Sequence, residues 1–363
     1  MKKRILVGVL ALASAALLST TEAAFAAEVP DALPTVEAVI AVQEAVTEEL
    51  MATEGILGTA VGLDHQGNLA LVVYVNLEST NTAEVVAGMP NSMGDVPVAV
   101  QVTEPFRPLL RFKPLDGGTA HNQKQTPPIQ LGTSGGWRYD LANGFCCGGT
   151  LGSLVQKGGV RYILSNYHVF ESDIVNGGNN RVALPGDPVI QPGLIDVSCN
   201  ANNAQDVATL SGIKALPTSN VDAAIAQVIS GQVQPDGAIL DIGTISAATL
   251  AASLNQKVKK SGQTTGLTRS TVNGINATVS VTYDNECAGG TAFIKIFTGQ
   301  ILIRNSNQGQ LFISDGDSGS LMVADVSPNP QSVGLLFAGS STVAVANPID
   351  QVLSFFGATM VGQ

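Results

Sequence analysis

Gly316-Asp317-Ser318-Gly319-Ser320 sets a serine between two glycines, directly after an aspartate. This is how a nucleophile is presented on a tight turn. Gly316 can take a backbone conformation closed to other residues, so its N–H and the Ser318 N–H can point at one spot. Two donors converging there would hold the oxyanion of a tetrahedral intermediate. Gly319 removes bulk behind the hydroxyl. A Gly/Ser-rich hairpin turn carrying an ordinary acid would look the same locally, so the stretch has to find partners elsewhere in the chain.

A serine hydroxyl needs a base, and the chain has only three histidines. His168 ends the apolar, strand-like run Tyr162-Ile163-Leu164-Ser165-Asn166-Tyr167-His168. His65 lies in Asp64–Asn68, which reads as an exposed hairpin turn, and His121 lies in a polar loop. His168 is therefore the candidate base. The imidazole then needs an orienting carboxylate. Asp222 heads Ala223-Ala224-Ile225-Ala226, a small-residue apolar strand. Asp196, Asp206, Asp241 and Asp284 compete, with Asp206 the nearest rival. Asp222 is preferred because its surroundings are the more continuously apolar.

The order His, Asp, Ser resembles that of the chymotrypsin/trypsin superfamily of serine proteases. The resemblance rests on Cys147–Leu151, Leu164–His168, Asp222–Ile225, Gly316–Ser320 and Phe337-Ala338-Gly339, and covers the chain from about Cys146 onward. More narrowly, Gly149–Gly152 and Asn347-Pro348-Ile349 look like bacterial trypsin-like proteases related to the plant narrow-leaf proteins. The resemblance implies a mostly β fold with two β-barrels of chymotrypsin type and the active site in the cleft between them. It implies amide hydrolysis through an acyl-enzyme on Ser318, with His168 as base and Asp222 as orienting acid. Gly316 and Ser318 would form the oxyanion hole, and Phe337, Ala338 and Gly339 would bind the substrate backbone as an added strand. Asp317 would shape the oxyanion loop, its partner being an N-terminal amine, an arginine or backbone donors. Phe312 stands where the trypsin branch carries its basic-selecting acid, which favours apolar or small side chains over Arg and Lys; a plain core role for Phe312 is the alternative. The chain departs from the family at Ser320, in having no cysteine after His168, and in lacking an Ile-Val-Gly-Gly start.

Composition bounds the compartment. Met1–Arg4 is a charged leader, Ile5–Leu18 is apolar, and Ala24-Phe25-Ala26 is a small-residue cleavage site, so residues 1–26 read as a signal peptide. Removing Lys2, Lys3, Arg4 and Glu22 takes the formal charge from -11 to about -13. So acidic a chain argues against nucleic acid as a partner. The expected product is secreted or periplasmic, without a membrane anchor after cleavage, and acts on protein or peptide substrates. Cys146, Cys147, Cys199 and Cys287 suggest two disulfides in an exported protein. Neighbouring cysteines rarely bond to each other, so Cys146 and Cys147 would each take one of Cys199 and Cys287, in either pairing. Metal-ligand spacing is lacking, and neither a metal nor a cofactor is expected.

Upstream, Thr35–Thr53 reads as a helix, with Val39, Val42, Val46 and Leu50 on one stripe. Gly58–Leu63 and Leu69–Leu77 read as a hairpin, Thr82–Ala87 as a short helix and Val96–Val102 as a strand. Residues 27–112 are expected to form a small α+β layer, serving as a pro-region or regulatory lid or simply as an attached domain. Residues 113–145 read as a Pro/Gly-rich connector and 146–363 as the protease-like part, closed by a helix over Asp350–Phe356. A catalytically silent binding module and an esterase using the same triad are the two competing functions. The sequence leaves the oligomeric state open.

Overall fold

The computed structural model describes residues 34–109, 120–142, 145–170, 183–213, 215–283, 293–307 and 309–363. The expected signal peptide, Asp284 and Cys287 lie outside the described residues. The chain is mostly β. Its N-terminal part runs α1 (Val36–Met51), β1 (Ile56–Leu63), β2 (Leu69–Asn76), α2 (Thr82–Gly88), β3 (Val96–Thr103) and β4 (Arg107–Pro108). The Thr35 hydroxyl caps α1 by accepting the Ala38 N–H. The stripe of α1 packs on β1 and β2 through Val39, Val42, Val46 and Leu50. β1 and β2 form the expected hairpin, turning at His65-Gln66, where Asp64 accepts the N–H groups of Gln66 and Asn68. β3 lies parallel to β2, with α2 in the crossover.

Seven further strands pair in a ring: β5 (Thr133–Trp137), β6 (Gly149–Leu151) running into β7 (Ser153–Lys157), β8 (Val160–Ser165), β9 (Pro188–Gln191), β10 (Gln205–Leu210) and β11 (Ala224–Val228). Pairing runs β7–β8–β11–β10–β9–β5–β6, and β6 joins β7 through Gly152, so the sheet closes on itself. At Gly152 any side chain would overlap the Gly319 carbonyl, which ties this sheet tightly to the serine turn. The barrel begins at Thr133, inside the stretch read from sequence as connector. That stretch is polar and Gly-rich, and its strand has no apolar alternation to signal it.

A second closed sheet is formed by β12 (Lys257–Gly262), β13 (Gly266–Tyr283), β14 (Phe293–Arg304), β15 (Leu321–Ala324), β16 (Ser332–Gly339) and β17 (Val343–Pro348). Pairing runs β12–β15–β16–β17–β14–β13 and back to β12. α4 (Ile349–Phe356) follows β17 as the expected closing helix, and β18 (Thr359–Met360) returns to pair with β7 of the first barrel.

β13 is 18 residues long and does double duty. Its first half pairs with β12, and along the same edge residues 274–279 pair with β1. The N-terminal α+β layer is thus continuous with the second barrel's sheet, and residues 34–363 form one compact unit. A bridge joins Cys146 to Cys199.

Candidate active site

Ser318 sits on a turn made by two left-handed glycines, Gly316 at φ +96° and Gly319 at φ +91°. A side chain at Gly319 would overlap the Thr150 carbonyl and the Ser165 hydroxyl, so only glycine fits. Asp317 is fully buried and fixes the turn from inside. Its Oδ1 accepts the N–H groups of Thr264 (3.0 Å) and Thr265 (3.2 Å), and its Oδ2 accepts the Ser314 N–H (3.0 Å) and the Thr265 hydroxyl (2.6 Å). Lys260 Nζ lies 3.3 Å from Oδ2 and is itself fully buried. Backbone donors are among the partners expected for Asp317; the cation beside it is a lysine, where the sequence suggests an arginine or an N-terminal amine. The signal was the inward face of β12, which places Lys260 beside Val258 at a two-residue period. Burial pushes the Lys260 ammonium below the usual lysine range, and Asp317 opposes that shift.

His168 lies on α3 (Tyr167–Phe170), a single helical turn after β8. Its Nδ1 is 2.6 Å from Asp222 Oδ2. Asp222 Oδ1 accepts the N–H groups of Tyr167 (2.8 Å) and His168 (3.3 Å), and Tyr283 donates its hydroxyl to Oδ2 at 2.7 Å. The backbone around this acid is fixed as well. Asp222 N–H donates to Asn347 Oδ1 (2.8 Å), Asn347 Nδ2 donates to Gln300 (2.6 Å), and Asn166 Nδ2 donates to the Asp222 carbonyl (2.7 Å). All these groups are buried, so every donor counts for more than it would in water. Burial, reinforced by the neighbouring Asp222 carboxylate, holds the Tyr283 phenol protonated far above its ordinary range. Tyr283 was not found from the sequence.

The rival acids are engaged elsewhere. Asp206 pairs with Arg138 at 2.7 Å on the surface. Asp196 accepts from Ser134 and Gln263, and Asp241 lies 3.2 Å from His121 Nε2.

Ser318 Oγ is not hydrogen-bonded to His168, whose Nε2 has no hydrogen-bond partner among the described residues. The Ser318 hydroxyl donates to the Phe337 carbonyl at 3.2 Å and accepts the Leu109 N–H at 3.2 Å. Phe337, Ala338 and Gly339 end β16, and β4 pairs with them antiparallel, Pro108 opposite Ala338 and Arg107 opposite Gly339. Gly316 N–H donates to the Leu109 carbonyl at 2.6 Å. Phe312 is buried in an apolar cluster with Ile313, Leu336, Val333 and Leu109. The end of β16 therefore pairs with a segment of this same chain from the upstream α+β layer.

No family model matches the chain, and no curated protein does. Solved structures do match. A glutamic acid specific serine protease that uses a histidine triad in substrate binding is 20% identical, with a TM-score of 0.41, over 64% of this chain and 100% of that one. Thermobifida fusca Protease A and Cellulomonas bogoriensis chymotrypsin are each 19% identical, with TM-scores of 0.40, over 65% of this chain and 99% of theirs. The narrower resemblance to relatives of the plant narrow-leaf proteins has no support in these comparisons.

Proposed function

We propose that this chain is a serine-type endopeptidase that hydrolyses peptide bonds through an acyl-enzyme on Ser318. One observation carries the reading. The Gly316 N–H, on the turn that bears Ser318, holds a peptide carbonyl at 2.6 Å, while a peptide strand pairs with Ala338 and Gly339. That arrangement suits an extended polypeptide better than a small ester.

In this reading Ser318 Oγ attacks the carbonyl and His168 Nε2 takes its proton. Asp222, 2.6 Å from Nδ1, holds the ring in the tautomer that leaves Nε2 basic and stabilises the imidazolium. The N–H groups of Gly316 and Ser318 carry the oxyanion charge. Phe312 and Ile313 are buried in one apolar cluster with Leu109, so apolar side chains are the preferred occupants beside the serine. Export fits the Cys146–Cys199 bridge, since such bonds persist in oxidising compartments. Among the described residues no helix is long and apolar enough to cross a membrane.

A fluorophosphonate probe tests the reading. Label is expected on the Ser318 peptide in wild-type protein, or in a Leu109→Asp variant that clears the groove, and is expected to vanish in Ser318→Ala. Label that persists in Ser318→Ala would reassign the nucleophile.

A further inference from the structure

We propose that the chain cuts its own peptide bond after Leu109, and that Phe106-Arg107-Pro108-Leu109 is a bound acyl-side substrate that defines the enzyme's preference for leucine next to the cut. This rests on the peptidase reading of Ser318 and gives it a substrate.

The placement is specific at each residue. The Leu109 carbonyl accepts the Gly316 N–H at 2.6 Å, and the Leu109 N–H reaches Ser318 Oγ at 3.2 Å, so the residue whose carbonyl would be attacked lies directly on the nucleophile. Leu109 is 8% exposed and packs in the apolar cluster that contains Phe312 and Ile313. Pro108 and Arg107 pair with Ala338 and Gly339 as an added antiparallel strand. Upstream the segment is pinned. Phe106 is fully buried, lies edge-on to Tyr74 at 5.8 Å, and takes the Thr282 N–H on its carbonyl. Glu104 accepts from the Ser341 hydroxyl at 2.8 Å, and Thr103 Oγ1 lies 2.6 Å from Ser340 Oγ. Anchoring a peptide this way raises its effective concentration at the serine far above that of a free one.

The chemistry balances with one water. Ser318 Oγ bonds to the Leu109 carbonyl carbon as its proton passes to His168 Nε2. The bond to the nitrogen of Leu110 breaks, and that nitrogen takes the proton to leave as an α-amine. Water then attacks the ester through His168, restoring the Ser318 hydroxyl and freeing a Leu109 carboxylate. Leu110 lies outside the described residues, and only its position in the sequence enters.

Two measurements test the proposal. In the first, the chain without residues 1–26 is incubated and followed by intact mass and N-terminal sequencing, beside Ser318→Ala and Leu109→Ala. A new N-terminus at Leu110 is expected, absent in Ser318→Ala and slowed by at least about 10-fold in Leu109→Ala, which removes three carbons where one methylene alone is worth about 10-fold or more in an apolar pocket. In the second, the matured enzyme is given anilides of Phe-Arg-Pro-Leu and Phe-Arg-Pro-Asp; the leucine substrate is expected to be turned over faster by on the order of 100-fold. If Ser318 is labelled by fluorophosphonate but the cut falls elsewhere, or the two anilides react alike, the proposal is overturned and the peptidase reading stands. If Ser318 takes no label even in Leu109→Asp, both fall together.

Discussion

Tyr283 and His168 meet on a single oxygen, Asp222 Oδ2, the phenol at 2.7 Å and the imidazole Nδ1 at 2.6 Å. The two rings stand edge to face at 6.3 Å, and Phe293 stacks on the far side of Tyr283 at 4.9 Å. The phenol is held so that it can only donate.

Tyr283→Phe removes that donor and keeps the ring. A hydrogen bond to a charged group contributes about 1.5–3 kcal/mol, and the unfolding free energy is expected to fall by that order in urea titration. Turnover is expected to fall about tenfold with KM little changed, since the lost bond orients the acid and touches no substrate.

Asp222→Asn is expected to lower kcat by roughly 10⁴, because the amide can donate to Nδ1 and favour the wrong tautomer. Asp206→Asn, which loosens only the surface pair with Arg138, is expected to leave turnover within about twofold. Steady-state kinetics on the two variants settles the choice; a large loss in Asp206→Asn alone would overturn the assignment of Asp222.

Lys260→Met leaves the buried Asp317 carboxylate without its cation. Breaking a buried pair from one side costs about 3–5 kcal/mol, and the urea midpoint is expected to drop with the slope unchanged. Because Asp317 holds the Gly316–Ser318 turn, fluorophosphonate labelling of the folded fraction is expected to slow as well. Normal labelling would separate this ion pair from the shape of the Gly316–Ser318 turn.

His121 gives a pH signature. Burial lowers its pKa below the ordinary 6.5, the Asp241 carboxylate opposing and Lys260 adding to the shift. The folded state thus favours the neutral ring. Its contribution to stability is full above about pH 6.5 and is lost as pH falls below that value, where the unfolded chain takes up a proton that the folded chain resists. Thermal melts of wild type and His121→Gln are expected to run parallel above pH 7.5 and to converge or cross between pH 6.5 and 5. A constant offset across that range would remove His121 from the acid response.

Residues with a local signature were legible from the sequence. The stripe Val39, Val42, Val46 and Leu50 marked α1, and the two glycines around Ser318 marked a turn that only glycine can make. The apolar runs beside His168 and Asp222 could be read, although His168 falls on the helical turn that follows β8 and not on the strand itself, and the structure brings the two side chains together. Tyr283 and Leu109 could not be read. Each is placed by bonds to distant partners, 61 positions away for Tyr283 and Asp222 and 209 for Leu109 and Ser318. No periodicity records such a contact. The strand Thr133–Trp137 was missed for the opposite reason: it is fully buried yet built of small and polar residues, so its burial leaves no apolar pattern.

The long strand β13 changes what a cut after Leu109 would accomplish. Severing the backbone there would leave β1 still paired along residues 274–279, so the two pieces would remain one particle, held as a heterodimer by a shared ladder. Pulling them apart would strip the cover from a strand edge and present its unpaired N–H and C=O groups to any other chain. The upstream piece then acts as a permanent bumper against self-association. Forms of the protein from which it has been physically removed are expected to be the ones that aggregate.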